Sequence, residues 1–158
     1  MIRNIHERPV EGAGSMIDRL AGPEDHLWPR DRWPAVKLDT PLSVGARGGH
    51  GPIRYEVVRY EPGRAVAFRF VHPTGLVGEH RFEYDGATLR HVLEGGTTGS
   101  MRVGWPLAFR WLHDALAEDA LDRAEGRPPR RLGLWVRILR WAARNQRRST
   151  RPSAVARG

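Results

Sequence analysis

The sequence contains no cysteine. Disulfides, thiolate nucleophiles and cysteine-based zinc sites are therefore excluded, and nothing points to an oxidising compartment. Lysine is nearly absent as well: Lys37 is the single example, so arginine carries almost all the positive charge. A compositional bias of the genome accounts for that as readily as phosphate recognition does. No apolar run approaches the roughly 20 uncharged residues of a membrane-spanning helix. The first residues, Met1 to Arg8, are charged from Arg3 onward and have no apolar centre like that of a signal peptide. A cytoplasmic location is the expectation.

Acid is also missing from one end of the chain. Residues 127–158 hold 10 arginines and no Asp or Glu, whereas residues 1–126 hold 16 basic and 18 acidic side chains. The net charge of +8 thus belongs to a near-neutral body and a basic tail, and arguments from charge about partners concern the tail alone. The length of 158 residues suits one domain plus a tail. The expected division is a ligand-binding domain over 1–126 and an arginine-rich tail over 127–158.

Along the body, Ile2 to Val10 fits a first strand ending at the Glu11–Gly14 break. A short helix can follow, with Ser15 placed to cap it and Ile17 and Leu20 facing inward. Two Trp-Pro pairs, Trp28-Pro29 and Trp33-Pro34, rule out a regular helix or central strand there and suggest an ordered loop anchored by its indoles. Lys37 to Val44 offers a further strand broken by Pro41. Ile53 to Tyr60 and Ala65 to His72 flank Glu61-Pro62-Gly63-Arg64, a hairpin turn by composition. That turn sets Tyr55 opposite Phe70 and Val57 opposite Phe68, so Ile53, Tyr55, Val57, Val66, Phe68, Phe70 and His72 share one face. A second hairpin at Asp85-Gly86 pairs Phe82 with Leu89 and His80 with His91. A last strand is expected near Ser100 to Gly104, after the Gly95–Gly99 break.

From Pro106 to Glu125 the pattern is a long helix, with proline suited to its first turn and Gly126 to its stop. At about 100° per residue, Ala108, Phe109, Trp111, Leu112, Ala115, Leu116, Ala120 and Ala124 fall on one arc. Asp119 lies within that arc and His113 at its edge, with Asp114 and Glu118 on the polar side. The fold class is therefore α+β: a curved antiparallel sheet gripping a long C-terminal helix, with an internal cavity between them.

This order of elements, with Gly48-Gly49-His50-Gly51-Pro52-Ile53-Arg54-Tyr55 and Trp105-Pro106-Leu107 through His113-Asp114-Ala115-Leu116, resembles the SRPBCC (START/Bet v 1-like) superfamily, specifically a bacterial branch of it. The resemblance spans about Ile2 to Glu125 and rests on architecture and family-like segments, not on a catalytic signature. It implies a helix-grip fold around an apolar cavity, as in polyketide cyclases/dehydrases and lipid-transfer domains. Because one fold carries several functions, the activity is not fixed by it.

The expected ligand-facing set comprises His50, Tyr55, Phe68, Phe70, His72, His80, Phe82, His91 and Leu93 from strands and loops, and Trp111, His113, Ala115 and Asp119 from the helix. Imidazoles in an apolar pocket can move protons at neutral pH or polarise a carbonyl. A cyclase/dehydratase reading would use His80 and His91, with Asp119 orienting the base and Tyr55 donating a hydrogen bond. The same histidines equally fit a buried structural network. Two ligands from His80 and His91, with His50 or His113 as a third, could bind a metal, but no recurring metal-ligand spacing is present and no metal or cofactor is expected. The segment Gly45–Gly51 lacks a Gly-Lys-Ser/Thr ending and precedes a strand, so nucleotide binding is not expected either. The primary expectation is binding of a small hydrophobic or amphipathic molecule.

In the tail, Leu132 to Arg148 shows helical periodicity after a linker, Arg127-Pro128-Pro129-Arg130-Arg131. Arg137, Arg140, Arg144, Arg147 and Arg148 form a cationic arc, and Trp135, Ile138 and Trp141 belong to the apolar remainder. Such a helix can lie on an anionic membrane surface, at the inner face of the membrane for a cytoplasmic protein. It can also fold back on the domain or pair with a second subunit. Nucleic acid is not expected, and the oligomeric state is left open.

Overall fold

Residues 53–97, apolar on the face that turns inward, form the centre of the sheet. The computed structural model describes residues 1–149, with side chains through Asn145. It runs β1 (Ile2–Pro9), α1 (Ala13–Asp18), β2 (Lys37–Leu38), β3 (Arg47–His50), β4 (Ile53–Glu61), β5 (Ala65–His72), β6 (Leu76–Tyr84) and β7 (Thr88–Thr97). Helix α2 (Met101–Gly104) then continues through a π-helical turn (Trp105–Phe109) into α3 (Arg110–Ala124), and α4 (Leu134–Ser149) follows. The seven strands form one antiparallel sheet in the order β1-β7-β6-β5-β4-β3-β2. The architecture is α+β and consistent with a helix-grip fold. Tyr55, Val57, Phe68, Phe82 and Leu89 of the sheet share a core with Leu116, Ala120, Leu121 and Ala124 of the long helix. Each large apolar side chain buried there is worth about 1.5–3 kcal/mol.

The β4–β5 hairpin has the expected register, Tyr55 opposite Phe70 and Val57 opposite Phe68, until a bulge after Val57 sets Arg59 against Ala67. The inward face ends at Phe70; His72 is exposed. The β6–β7 hairpin departs from expectation. Asp85 Oδ1 accepts from the backbone N–H groups of Ala87 (3.0 Å) and Thr88 (2.8 Å). The side chain thereby closes a longer loop than the two-residue turn expected at Asp85-Gly86. The register moves by two, placing Phe82 opposite His91 and His80 opposite Leu93. Because side chains alternate with period two, both histidines keep the inner face although they are not direct partners.

Two glycine-rich stretches, one expected as a loop and the other as a break, contribute to strands. A Cβ on Gly48 or Gly49 would collide with the carbonyl oxygens of Lys37 or Ile53, so only glycine permits β3 to pack between β2 and β4. Likewise β7 continues through Gly95, whose bare backbone lies against Val77 and Gly78. The expected strand over Lys37–Val44 shrinks to Lys37–Leu38, and Ser100–Gly104 is not a strand but the entry to the long helix. Ser15 lies inside α1, whose N-cap is Gly12, and its hydroxyl donates to Gly12 O. Pro106 sits in the π-helical turn, where Arg110 N–H bonds Trp105 O. The turn inserts a residue into the helical repeat, and Trp111 comes out exposed, its Nε1 donating to Pro106 O. Phe109, Leu112, Leu116, Ala120 and Ala124 face inward as expected, joined by Ala117 and Leu121.

Asp119 joins the Trp-Pro loop to this helix. Its Oδ1 accepts from Arg32 at 2.8 Å and its Oδ2 from Trp33 Nε1 at 2.7 Å, in a side chain only 3% exposed. The tail then folds back on the body. Val136 is buried in the main core, the Arg140 guanidinium lies 4.5 Å from the centre of the Trp33 ring, and Trp135 Nε1 donates to Leu107 O. Of the expected cationic arc, Arg140 thus points inward; Arg147 and Arg148 lie outside the described side chains.

Replacing Asp119 with Ala leaves a guanidinium and an indole N–H unpaired and should cost about 3 kcal/mol in urea unfolding. Trp33→Phe, which removes one hydrogen bond and some packing, should cost about 1 kcal/mol.

Candidate functional site

Between the inner face of the sheet and the long helix lies a pocket of about 410 Å³. Its walls are Phe70, Leu76, His80, Phe82, His91 and Leu93 from the sheet, and Trp105, Phe109, Leu112, His113, Leu116, Ala117 and Ala120 from the helix. The mouth is framed by the Trp-Pro loop (Trp28, Arg30, Asp31, Arg32, Trp33, Pro34), by His50 and Ile53, and by Arg140, Ala143 and Arg144 of α4. Asp25 orders the start of that loop by accepting from the N–H groups of Ala21, Leu27 and Trp28, and Trp28 Nε1 closes it onto Pro34 O.

Four imidazoles run in a row beside the pocket. His80 stacks on Phe68 and Phe70, each at 5.0 Å, and meets Tyr55 edge-on at 5.1 Å. His91 follows at 5.6 Å from His80, His113 at 4.9 Å from His91, and His6 at 6.1 Å from His113. Position along the row sets the protonation state. Burial pushes His80 and His91 well below the ordinary imidazole value, and neighbouring imidazoles push the same way. Burial also lowers His113, partly offset by Asp114. His6 is raised, chiefly by its bond to Asp114 and also by Glu118, against its burial. It bonds Glu118 Oε1 through Nδ1 at 2.7 Å and approaches Asp114 Oδ1 through Nε2 at 3.4 Å. The inward face of β1 is responsible: Asn4, His6 and Arg8 alternate there, meeting Asp114 and Glu118 of the helix. Burial alone would raise both carboxyls; His113 and His6 hold Asp114 low, and His6, Arg8 and Arg130 hold Glu118 low.

Several ring nitrogens lack a hydrogen-bond partner in the protein: His80 Nε2, His91 Nδ1 and both nitrogens of His113. His113 Nδ1 lies 3.5 Å from Asp114 Oδ1 without hydrogen-bond geometry. Buried polar atoms normally find partners, and these four face the interior without one in the protein.

Seven of the expected ligand-facing residues line the pocket: His50, Phe70, His80, Phe82, His91, Leu93 and His113. Tyr55 and Phe68 pack behind His80. Burial raises the Tyr55 phenol far above its ordinary value. His72 and Trp111 are exposed, and Ala115 packs against the core without reaching the pocket. Asp119 is turned to Arg32 and Trp33; burial raises its carboxyl against their pull. Sequence reasoning missed the mouth and His6. The Trp-Pro pairs were the signal for the mouth, while nothing local in β1 marks His6 as a partner of a helix more than a hundred residues away. The trio whose donor atoms could hold a metal is His6, His113 and Asp114, within 4.8 Å of one another, rather than His80 with His91. Arg110, 3.6 Å from Asp114, already brings a cation to the carboxylate of that trio.

No protein-family model matches the chain, and no curated protein does. Solved structures do. The solution structure of CalU16 from Micromonospora echinospora matches with a TM-score of 0.55 at 17% identity, over 90% of this chain and 83% of that one. The crystal structure of Ms6760 from Mycobacterium smegmatis matches with a TM-score of 0.52 at 13% identity, over 78% and 87%. A Thermobifida fusca protein matches with a TM-score of 0.51 at 15% identity, over 80% and 96%. At these identities the likeness is one of fold.

The histidine row makes stability depend on pH. Below the ordinary value of 6.5 the unfolded chain protonates His80, His91 and His113 while the folded chain resists, so stability falls on acidification. His6 acts in the opposite sense: its contribution is complete below 6.5 and is lost as pH rises through its raised value. With three groups against one, the melting temperature should drop from about pH 7 to about pH 5. In thermal melts His91→Gln should make that dependence shallower; an unaltered slope would place the proton uptake elsewhere.

Proposed function

We propose that the protein binds a small amphipathic molecule in the pocket between its sheet and its long helix. The observation that carries this reading is an apolar pocket of about 410 Å³ into which buried, unpartnered imidazole nitrogens are set. Its size suits one small organic ligand, and a few polar atoms in an apolar wall are what fix a ligand's orientation. The reading accords with what the resemblance to the SRPBCC superfamily implies. Turnover by a cyclase/dehydratase route is supported less. His80 and His91 are neutral and could accept protons, but no carboxylate orients either of them, and Asp119 is occupied by Arg32 and Trp33.

A second reading, attachment to an anionic membrane surface, is favoured by a separate observation. Leu134, Trp135, Ile138 and Trp141 of α4 are exposed, and so are Val103, Leu107 and Trp111 along the long helix. The bond from Trp135 to Leu107 O joins the two stripes. Arg102, Arg110 and Arg137 are exposed on the same helices. Aromatic side chains at the lipid interface with arginines beside head groups are the chemistry of surface binding. No helix among the described residues is long and apolar enough to cross a membrane.

Titration with the neutral fluorophore N-phenyl-1-naphthylamine tests the first reading. Saturable binding at one site is expected, and Ala117→Phe, which fills the pocket, should weaken it about tenfold with the thermal melt confirming folding. Equal affinity in a folded Ala117→Phe protein would place the ligand elsewhere. For the second, the full chain should co-sediment with phosphatidylserine-containing vesicles and not with phosphatidylcholine alone. Trp135→Ala with Trp141→Ala should release it; retention by that double variant would refute the surface.

A further inference from the structure

We infer that the pocket's ligand is a single-tailed anion whose head group is clamped at the mouth by Arg140 and Arg144 of α4. This rests on the reading that the pocket holds an amphipathic molecule, and adds the class of that molecule. The mouth carries four arginines, Arg30, Arg32, Arg140 and Arg144, and one acid, Asp31. Asp31 pairs with Arg123 at 2.9 Å, and Arg32 pairs with Asp119 at 2.8 Å. Among the described residues no carboxylate lies at ion-pair distance from Arg30, Arg140 or Arg144.

The chain itself offers little to correct this. Residues 127–158 contain no acidic side chain, so α4 brings cations to the mouth and no counter-charge. Arg140 is moreover held in place: its guanidinium lies over Trp33 and donates to the Arg32 carbonyl oxygen. A partly desolvated guanidinium fixed on an indole face and left without a carboxylate is a prepared anion site, since its remaining N–H groups match two oxygens of a carboxylate or phosphate. Deeper in, the walls are apolar until the neutral imidazoles. A tail entering past Trp33 and Phe109 would therefore leave its charged head at the arginines and could present a carbonyl or hydroxyl to His91 and His113. About 410 Å³ suits one tail.

The experiment compares decanoic acid, decyl phosphate and decanol on the full chain, by displacement of N-phenyl-1-naphthylamine and by calorimetry near neutral pH. Decanoate or decyl phosphate should bind about tenfold more tightly than decanol, and added salt should narrow the gap. The order of the two anions identifies the head group. In the double variant Arg140→Gln, Arg144→Gln, shown by its thermal melt to be folded, the preference for anion over alcohol should collapse to near unity. If decanol binds as well as either anion, or if the folded double variant keeps the preference, the inference fails while the pocket reading stands. If the fluorophore binds but none of the three displaces it, the inference fails alone; if the fluorophore does not bind either, the pocket reading fails with it.

Discussion

A carboxylate on the long helix organises one end of this molecule. Asp119 is almost wholly buried, and an ion in that position is tolerable only when its oxygens are fully paired. The partners it takes, Arg32 and Trp33, belong to a loop that two prolines bar from regular structure and whose start is ordered separately by Asp25. Once Trp33 is fixed, its ring becomes the surface on which Arg140 rests, and Arg140 in turn donates to the Arg32 carbonyl. Arg32 also donates to Arg130 O at 2.9 Å in the linker before α4. Loop, linker and terminal helix thus all connect to the long helix through contacts that begin at one side chain. The same chain of contacts frames the mouth of the pocket.

The interior is polarised along a different line. From His80 to His6 the row of imidazoles passes from an aromatic sandwich to a pair of carboxylates, and the environment divides their protonation states accordingly. The inner members are held neutral by burial and leave nitrogens unbonded, whereas the outer one is pushed toward its charged form by Asp114 and Glu118 and is bonded. The pocket wall therefore has hydrogen-bonding capacity without net charge, while the charge is concentrated at the mouth. The proposal of an amphipathic guest rests on this gradient: a hydrocarbon alone would leave the imidazole nitrogens unmet, and a strongly polar molecule would forfeit its hydration in the apolar wall.

How far the sequence foretold this varies with the range of the interaction. Alternation in β4 and β5 was sufficient for Tyr55 to face Phe70, because the partner lies within one hairpin and the Pro-Gly turn is specific. At Asp85-Gly86 the same reasoning chose the commonest turn and missed an aspartate that satisfies two backbone donors, yet the shift of two residues left His80 and His91 on the inner face. Glycines in β3 and β7 look like breaks locally and are strand residues because neighbouring backbones come too close for a side chain. Trp111 was assigned to the inner arc on an even helical repeat, which the π-helical turn interrupts. His6 and the Arg32–Asp119 pair link segments roughly ninety or more residues apart, and no periodicity records such a meeting.

The terminal helix shows why a helical wheel alone is an incomplete guide to function. On the wheel Arg137, Arg140 and Arg144 form one cationic arc, as on an interfacial helix. In the fold that arc is divided: Arg137 is exposed, while Arg140 and Arg144 line the pocket mouth. The apolar side is divided too, with Val136 in the core and Trp135, Ile138 and Trp141 exposed. Consequently α4 cannot leave the mouth without uncovering Val136 and parting Arg140 from Trp33, at a cost of about 1.5–3 kcal/mol for the valine and about 0.5–2 kcal/mol for the cation–π contact. The pocket mouth and the exposed tryptophans are thus opposite aspects of a single helix.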